Sequence, residues 1–574
     1  MGLIMLKKNS IKAILDSLSL LIVAAIIGTI ISFVAQLFII SAKNIYDFIF
    51  NNNDFILVFE IWGVSLNLIP ILVCVPSSIM VGLLMYYLKL PRWFGPADTI
   101  YAAHHKAGIL DLKGGFGSTL ASFISISGGA SVGIYGPLVH FGATVSSFIR
   151  RQTFMPKIPH DIIIGSGVAA AISAGFGAPL AGIIFAHETV LRHFSMRAVA
   201  ALAIASMAAN YSATEIGIVS PPLLLTAIPF DISDILISLT LIGPLAAVVA
   251  IIFMKSIIYL GSIPPKLKIK SWQAPVIAGF ACGLCGMIFS EILGLGTETL
   301  ISVITNEQNF AYLFALLIGK LILTSICIGF GFFGGTFSPA LFLGGVLGAI
   351  IFQLPMTSIN PDLLSVLAVS GMAAVSSSVI GAPITAIILV LELTGSYEYA
   401  IAATFPIVIC SFITSRTFGN SLFDKQLTSR GVAITKGREQ ILLNEVLIKN
   451  YVDTNFTKLK TNISIENAIK ILTEQKTTEG YIVSKENKYI GKISLLNLIN
   501  KKGKNLIDFT DKKPLLIDPN SNLLFVIKKL SKFVGESIPI VNNKTNEMIG
   551  IISENDVLKA YLDISEEINQ IEKH

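Results

Sequence analysis

Two pentapeptides interrupt the apolar stretches of this chain, and they limit most strongly how it can fold. Residues 133–137 read Gly-Ile-Tyr-Gly-Pro, residues 335–339 read Gly-Thr-Phe-Ser-Pro, and each opens a Gly- and Ala-rich segment. Inside a bilayer every backbone N–H and C=O needs a partner, so such breaks are costly there. A helix that begins inside the membrane presents free N–H groups and the positive end of its dipole. Two such helix starts, one in each half of the chain, can bind an anion without any charged side chain.

Charged residues are unevenly distributed along the chain, and their distribution divides it in two. The mean hydropathy is +0.74 and only 14% of the residues are charged, which is typical of a polytopic membrane protein. Of the 78 Asp, Glu, Lys and Arg residues, 39 lie in the last 139 positions. We therefore predict a membrane domain over residues 1–435 and a soluble domain over 436–574. The net charge of +6 is too diffuse to indicate a nucleic-acid partner and fits a face near anionic lipid.

The membrane domain contains an internal repeat. The pattern Ser166-Gly-Val-Ala-Ala, Gly177-Ala-Pro179 and Glu188 recurs 204 residues later and ends at Glu392, and the two pentapeptides recur at an offset of 202. Several apolar segments between these motifs are too short to cross a hydrocarbon core of about 30 Å. These observations predict a duplication with repeat halves of about 15–215 and 230–430, built from broken helices. The sequence leaves open whether the halves are parallel or inverted. Glu188 and Glu392 are interpreted as structural because they occupy equivalent places.

The soluble domain has a repeat of its own. Modules of about 446–499 and 505–564 each read strand–helix–strand–strand–helix. Each ends in a β-run followed by a helix start, and Ser494 and Ser553 are the predicted N-caps.

Taken together, these residues resemble the CLC family of chloride channels and proton-coupled chloride exchangers. The resemblance covers nearly all of residues 15–430, and the tail resembles a tandem pair of CBS modules. It implies an all-α polytopic membrane protein with an inverted internal repeat and broken helices, plus a cytoplasmic α/β CBS-pair domain. It also implies a homodimer in the lipid bilayer with one chloride path per subunit. The anchors are the two pentapeptides, the Gly-Ala-Pro-Leu-Ala-Gly stretch 177–182 with Glu188, and Asn420-Ser-Leu-Phe-Asp424.

The resemblance also implies where the anion binds. In the family, two side-chain hydroxyls help to bind the anion. The first of these positions falls on Phe94, or on Trp93 after a one-residue shift, and the second falls on Phe423. Because these side chains have no hydroxyl, backbone amides must carry the anion. Phe94, Phe337 and Phe423 are a candidate hydrophobic barrier. The implied anion-binding residues are Phe94, Gly95, Gly133, Ile134, Tyr135, Gly136, Thr336, Phe337 and Phe423.

Two departures from the family pattern bear on mechanism. The gating Glu of most members is Tyr135 here, and the inner proton-carrying Glu of exchangers falls on Thr189. A tyrosine with an ordinary pKa of about 10 does not carry protons at neutral pH. We therefore expect passive, channel-like chloride conduction with Tyr135 as the gate. Two alternatives stay open: an unorthodox exchanger with a proton route through His187 and Tyr135, and a non-conducting membrane sensor that responds to nucleotides.

The remaining expectations concern ligands and location. The sequence contains no Ser-His-Asp set, Walker-type loop or metal cluster, so we expect neither an enzyme nor a required cofactor. Ser553-Glu-Asn-Asp556 matches a CBS ribose contact for an adenine nucleotide, but a helix cap explains the same residues, and Asn497 replaces the Asp in the first module. Lys7, Lys8 and Lys12 precede the first apolar run, which favours a plasma or inner membrane protein with cytoplasmic termini.

Overall fold

The protein divides into two compact units, Met1–Val432 and Ala433–His574, against a predicted division after residue 435. The structure is a computed structural model. It describes residues 2–51, 57–61, 64–105, 109–152, 159–216, 230–354, 363–432, 443, 446–499, 506–511, 515–533 and 535–573.

Helices build the membrane unit. A single hairpin, β1 (Val58–Ile61) with β2 (Val64–Asn67), pairs antiparallel between the first two helices. The α-helices of this unit are α1 (Gly2–Phe50), α2 (Ile69–Leu88), α3 (Pro96–His104), α4 (Leu112–Ser127), α5 (Tyr135–Gln152), α6 (His160–Phe176), α7 (Pro179–Phe185), α8 (Met196–Glu215), α9 (Ile232–Gly261), α10 (Ile263–Lys266), α11 (Ala274–Ile288), α12 (Thr297–Thr305), α13 (Phe310–Gly329), α14 (Phe337–Phe352), α15 (Leu364–Ile380), α16 (Pro383–Thr394), α17 (Tyr397–Thr417) and α18 (Leu422–Ser429).

Long and short apolar helices alternate in this unit. Among the described residues, five helical segments are long and apolar enough to cross a membrane, the longest being Leu15–Phe50 and Ile232–Lys266. Other apolar helices are shorter; α14 has 16 residues and therefore spans only about 24 Å. Both pentapeptides lie at helix starts, because α5 begins at Tyr135 and α14 begins at Phe337. The predicted broken helices are confirmed.

Reciprocal contacts relate the two halves by an approximate two-fold. The carboxylate of Glu188 accepts the N–H groups of Ile384 and Thr385 at the start of α16, at 3.0 and 2.8 Å. Glu392 accepts those of Leu180 and Ala181 at the start of α7, both at 2.8 Å. Each glutamate thus caps a short helix of the other half, where N–H groups have no intrahelical acceptor. This exchange fits a duplication of the two halves and gives both glutamates a structural role as helix caps.

Glycines bring the helix pairs behind the pentapeptides into close contact. A Cβ on Gly142 of α5 would lie 2.4 Å from the carbonyl oxygen of Gly167 on α6. In the equivalent pair, a Cβ on Gly344 of α14 would lie 2.2 Å from the carbonyl oxygen of Gly371 on α15. Small residues at such crossings allow the backbones to approach, as is common between membrane helices.

The C-terminal unit contains two similar α/β modules. In the first, β3 (Lys458–Lys460) pairs parallel with β4 (Glu479–Val483), which pairs antiparallel with β5 (Tyr489–Ser494). In the second, β6 (Ser537–Val541) pairs antiparallel with β7 (Met548–Ser553), and a single parallel bridge from Ile517 to Ile540 replaces the first strand. The helices are α19 (Ile465–Glu474), α20 (Leu495–Leu498), α21 (Leu523–Leu530) and α22 (Glu554–Lys573).

The two predicted caps of this unit differ. At Ser553, the hydroxyl accepts the N–H of Asp556 at 3.3 Å, and the Asp556 carboxylate accepts the Ser553 N–H at 2.9 Å. This is a complete capping box. Ser494 precedes α20 at the cap position, but its side chain makes no capping hydrogen bond within the described residues.

Candidate functional site

The two pentapeptides meet at the centre of the membrane unit. Gly133 and Gly335 form an isolated antiparallel bridge, with N···O distances of 2.8 Å from Gly133 to Gly335 and 2.5 Å in return. Glycine is required for this approach, since a Cβ on Gly335 would lie 2.6 Å from the nitrogen of Gly136. The bridge fixes the starts of α5 and α14 next to each other.

Unpaired amides cluster at these two helix starts. Within the described residues, the N–H groups of Tyr135 and Gly136 find no acceptor, and neither do those of Thr336 and Phe337. Such groups carry the positive end of the helix dipole and are a general binding site for anions. The arrangement suits a small, weakly directional anion better than a ligand with a fixed shape.

A cavity of about 650 Å³ leads to these amides. Six of the nine predicted anion-binding residues line it, and the predicted gate Tyr135 is among them. Phe94, Gly133 and Ile134 do not line it. The six are Gly95, Tyr135, Gly136, Thr336, Phe337 and Phe423.

The Phe94 side chain, at the position of the family's first hydroxyl, does not line the cavity. Phe94 stacks on His140 with ring centroids 6.3 Å apart, and its N–H donates to Ser118 Oγ at 2.8 Å. The N–H of Gly95 donates to the Asp98 carboxylate at 3.0 Å. Trp93, the residue that a one-residue shift places at this position, lines the cavity. Both amides therefore have acceptors within the protein, whereas the amides of the two bridged turns have none within the described residues.

Three aromatic rings close the site. The ring of Tyr135 stacks on Phe176 with centroids 3.6 Å apart and an interplanar angle of 14°, and it meets Phe337 edge-on at 5.7 Å. Phe176 and Phe337 also pack edge to face, at 5.2 Å. A Cβ on Gly175 would lie 3.1 Å from Tyr135, so this glycine leaves room for the ring. Phe94, a predicted member of the hydrophobic barrier, packs on His140 instead, and it is Phe176 that contacts both Tyr135 and Phe337.

Phe423 is fixed by the start of α18. Ser421 Oγ accepts the N–H of Asp424 at 3.1 Å, and the Asp424 carboxylate forms an ion pair with Arg192. Phe423 is buried and lines the cavity, where a tyrosine would have offered a hydroxyl.

The charged residues that line the cavity are mostly basic. They are Arg92, Lys425 and Arg430, against one acid, Asp98. Asp98 pairs with Arg92 at 2.5 Å and with Arg430 at 3.0 Å. A cavity with this charge balance attracts anions.

The predicted proton position contains no acid. Thr189 lies in a π-helical segment, Ala186–Leu191, and its buried hydroxyl has no partner within the described residues. The neighbouring Glu188 is held by α16 and additionally accepts the Thr385 hydroxyl at 2.7 Å. His187 is fully buried, bonds the carbonyl of His193 through Nδ1 at 2.9 Å, and has no partner for Nε2 in the described part of the chain.

Sequence reasoning missed Phe176 and the Arg92–Asp98–Arg430 group. A signal existed for Phe176, because it directly precedes the repeated Gly177-Ala-Pro motif. For the ion pairs no signal existed, since Asp98 and Arg430 are 332 positions apart.

Comparison with known proteins identifies the family. The model of the voltage-gated chloride channel family matches residues 77–416, well over half of the chain. The chain belongs to this family, CLC. The CBS domain model matches residues 506–563, the second of the two modules. CLC membership makes the protein a membrane protein of anion transport.

Named CLC relatives include both exchangers and channels. The chain is 28% identical over 453 residues to the H(+)/Cl(-) exchange transporter ClcA of Vibrio parahaemolyticus, which covers 74% of this chain and 92% of the relative. It is 27% identical over 337 residues to chloride channel protein CLC-e of Arabidopsis thaliana, covering 52% of this chain and 46% of that protein.

Solved structures share the fold. A slow cyanobacterial Cl-/H+ antiporter has a TM-score of 0.61 at 19% identity and covers 73% of this chain and 99% of its own. A eukaryotic CLC transporter has a TM-score of 0.61 at 15% identity and covers 94% of this chain and 98% of its own. The predicted CLC fold is confirmed.

Proposed function

We propose that the membrane unit lets chloride pass without stoichiometric coupling to protons. The observation that supports anion passage is the cluster of unpaired amides at Tyr135, Gly136, Thr336 and Phe337, at the head of a cavity with mostly basic charges. A halide in a low-dielectric environment needs such donors, because a bare charge there is unfavourable by many kcal/mol. Here the donors belong to the backbone, so the loss of side-chain hydroxyls leaves the site usable.

The absence of coupling follows from the side chains at two positions. Tyr135 and Thr189 replace the carboxylates that an exchanger uses. Glu188 does not substitute for them, because both of its oxygens accept backbone N–H groups of α16. A carboxylate that caps a helix in this way serves the packing of the two halves.

A proton-coupled exchanger is the second candidate. Two findings favour it: a relative of 28% identity is named an H(+)/Cl(-) exchange transporter, and the Nε2 atom of His187 is buried without a partner in the described residues. Histidine is the side chain whose ordinary pKa lies nearest neutrality. If the protein is an exchanger, His187 would carry the proton in place of the carboxylates that are missing at Tyr135 and Thr189.

Paired chloride and proton fluxes from proteoliposomes separate the two candidates. A chloride gradient is imposed and uphill proton movement is measured for the wild type, His187→Ala and Tyr135→Glu. We expect chloride flux with no uphill proton movement in the wild type. We expect Tyr135→Glu to slow chloride without restoring coupling, since Thr189 still lacks a carboxyl group. Uphill proton movement in the wild type that His187→Ala abolishes would establish the exchanger instead.

We further propose a homodimer. The capped helix starts lie at the surface of one chain, where Leu180 and Ile384 are each about half exposed, at 51% and 50%. Carboxylates beside lipid are unfavourable, so Glu188 and Glu392 favour a second copy that covers them. Light scattering of the protein in detergent, with the detergent mass subtracted, measures the number of chains.

Membrane orientation and nucleotide binding stay predictions. Both termini are expected on the cytoplasmic side. An adenine nucleotide on the C-terminal unit would use Ser553 and Asp556, but these two residues already pair with each other. The sensor alternative makes a separate prediction, namely a thermal stability that depends on nucleotide and not on chloride.

A further inference from the structure

One face of α13 carries three fully buried side chains that hydrogen-bond. Lys320, Thr324 and Cys327 are spaced i, i+4 and i+7, so they lie on the same side of the helix, and each is 0% exposed. We call these three residues the α13 stripe.

Two members of the α13 stripe, Thr324 and Cys327, lie next to Ser131, which lies two residues before the bridge glycine Gly133. The hydroxyls of Ser131 and Thr324 are 3.0 Å apart. The backbone N–H of Ser131 faces the sulfur of Cys327, which lies 3.1 Å from the sulfur of Cys282 on α11. The segment that leads the chain to the free amides of α5 is therefore held through the Ser131 hydroxyl, with its backbone N–H packed on the Cys327 sulfur.

Lys320 reaches the same segment through one intermediate residue. Its Nζ donates to the carbonyls of Ile292 and Gly294, at 3.1 and 2.8 Å. The N–H of Gly294 in turn donates to the carbonyl of Gly129 at 3.2 Å.

A matching face lies on α4, displaced by the repeat offset of 202. Its members are Ser118, Ser122 and Ser125, which occupy the positions of Lys320, Thr324 and Cys327. Ser125 Oγ accepts the N–H of Phe333 at 3.3 Å. Phe333 follows Ser131 by 202 and likewise lies two residues before a bridge glycine, Gly335. Each half of the chain thus supplies the acceptor for the turn of the other half.

We propose that Thr324 and Cys327 are positioning residues for the anion site. They fix Ser131, which sets the path of the backbone into Gly133 and so the direction of the N–H groups of Tyr135 and Gly136. Buried backbone N–H groups need an acceptor, and a thiol is a weaker one than the hydroxyl at Ser125. The backbone N–H of Ser131 therefore has a weaker acceptor than the backbone N–H of Phe333 has. This inference rests on the proposed anion passage.

The test compares two double variants of the full-length protein in proteoliposomes. Thr324→Val/Cys327→Ala removes both partners of Ser131 on α13. Cys410→Ala/Thr414→Val is the matched control, because these residues are similarly buried on α17 and, within the described residues, their side chains bond Ser378 and their own helix. Chloride efflux is measured against chloride concentration, and thermal unfolding is measured with and without chloride.

We expect the α13 variant to raise the half-saturating chloride concentration about tenfold, which corresponds to 1.4 kcal/mol of binding energy. The control should leave this concentration unchanged even if it lowers the unfolding temperature. Thr324→Ser, which keeps the hydroxyl, should behave as the wild type.

Equal half-saturating concentrations in the α13 variant, the control and the wild type would overturn the inference and reduce the stripe to ordinary packing. If the double variant does not fold, Cys327→Ser decides: a hydroxyl acceptor should lower the half-saturating concentration, and an unchanged or raised value contradicts the proposal. A wild-type protein without chloride flux or chloride-dependent stability would instead overturn the proposed function, and this inference with it.

Discussion

The ring of Tyr135 is expected to obstruct chloride, and its removal should increase chloride flux. In the structure the ring lies over the starts of α5 and α14, stacked on Phe176 and edge-on to Phe337. An anion that moves past the free amides must displace it. Tyr135→Ala removes the ring and leaves the backbone amides in place.

The size of the effect follows from the two ring contacts. An aromatic pair contributes about 0.5–1.5 kcal/mol beyond the area it buries, so two pairs hold the ring with about 1–3 kcal/mol. A difference of 1–3 kcal/mol changes a population by about 5- to 150-fold. If displacement of the ring limits passage, Tyr135→Ala raises flux within this range.

The assay is chloride efflux from proteoliposomes at equal protein density. Tyr135→Phe keeps the ring and should stay near the wild type, which separates the ring from the hydroxyl. Phe116→Ala is the matched control: Phe116 packs edge-on against Phe141 with centroids 5.5 Å apart and does not line the cavity. It should leave flux unchanged.

Three results would refute the reasoning. Flux in Tyr135→Ala that equals or falls below the wild type, in protein that unfolds normally, would show that the ring is no obstacle. An equal rise in Phe116→Ala would point to general loosening. A rise in Tyr135→Phe as large as in Tyr135→Ala would assign the barrier to the hydroxyl.

Three further outcomes are expected. Glu188→Gln and Glu392→Gln should each lower the free energy of unfolding in detergent by about 1–3 kcal/mol, with Glu188 the larger because it also accepts the Thr385 hydroxyl; the reverse order would contradict the capping account. Asp556→Ala should reduce ATP or AMP binding by calorimetry if the carboxylate contacts ribose, whereas a cap alone predicts lower stability with binding unchanged. The backbone N–H groups of Asn520 and Asn543 donate to Asp518 and lower its pKa. The ionised carboxylate therefore stabilises the C-terminal unit above the unfolded pKa of about 3.9, and this stabilisation is lost as the pH falls through the folded pKa. Asp518→Asn should therefore increase hydrogen exchange of that unit more at pH 7 than at pH 3.

The framework of the site was predictable because it depends on where the backbone can start a helix and not on particular side chains. Gly and Pro at the two pentapeptides determine where a helix can begin, and the offset of 202 pairs the two turns. The free amides at Tyr135 and Thr336 follow from these helix starts whatever the side chains are. The repeat indicated that Glu188 and Glu392 have structural roles, but it did not indicate which N–H groups they cap.

Side-chain placement was less predictable around Phe94, where this sequence lacks the family's hydroxyl-bearing residue. At Phe94 the residues around the family's first hydroxyl position are not kept, so the register there is not fixed, and one residue decides which aromatic faces the cavity. The structure turns Phe94 toward His140 and leaves Trp93 at the lining. The ring partner of Tyr135 depended on a contact with α6, and periodicity carries no information on such contacts.

The repeat also shows how one site can have two unlike sides. Duplication supplies two helix starts, and their approximate two-fold aligns both sets of amides on one point. Side chains at matched positions then diverged: Tyr135 faces Phe337, and Cys327 occupies the place of Ser125. In the proposed function the anion is held by backbone donors, so side chains at these positions can vary without loss of the site. We therefore expect divergence at Tyr135 to change the rate of passage and divergence at Cys327 to change the affinity, while the capacity to hold a halide is kept.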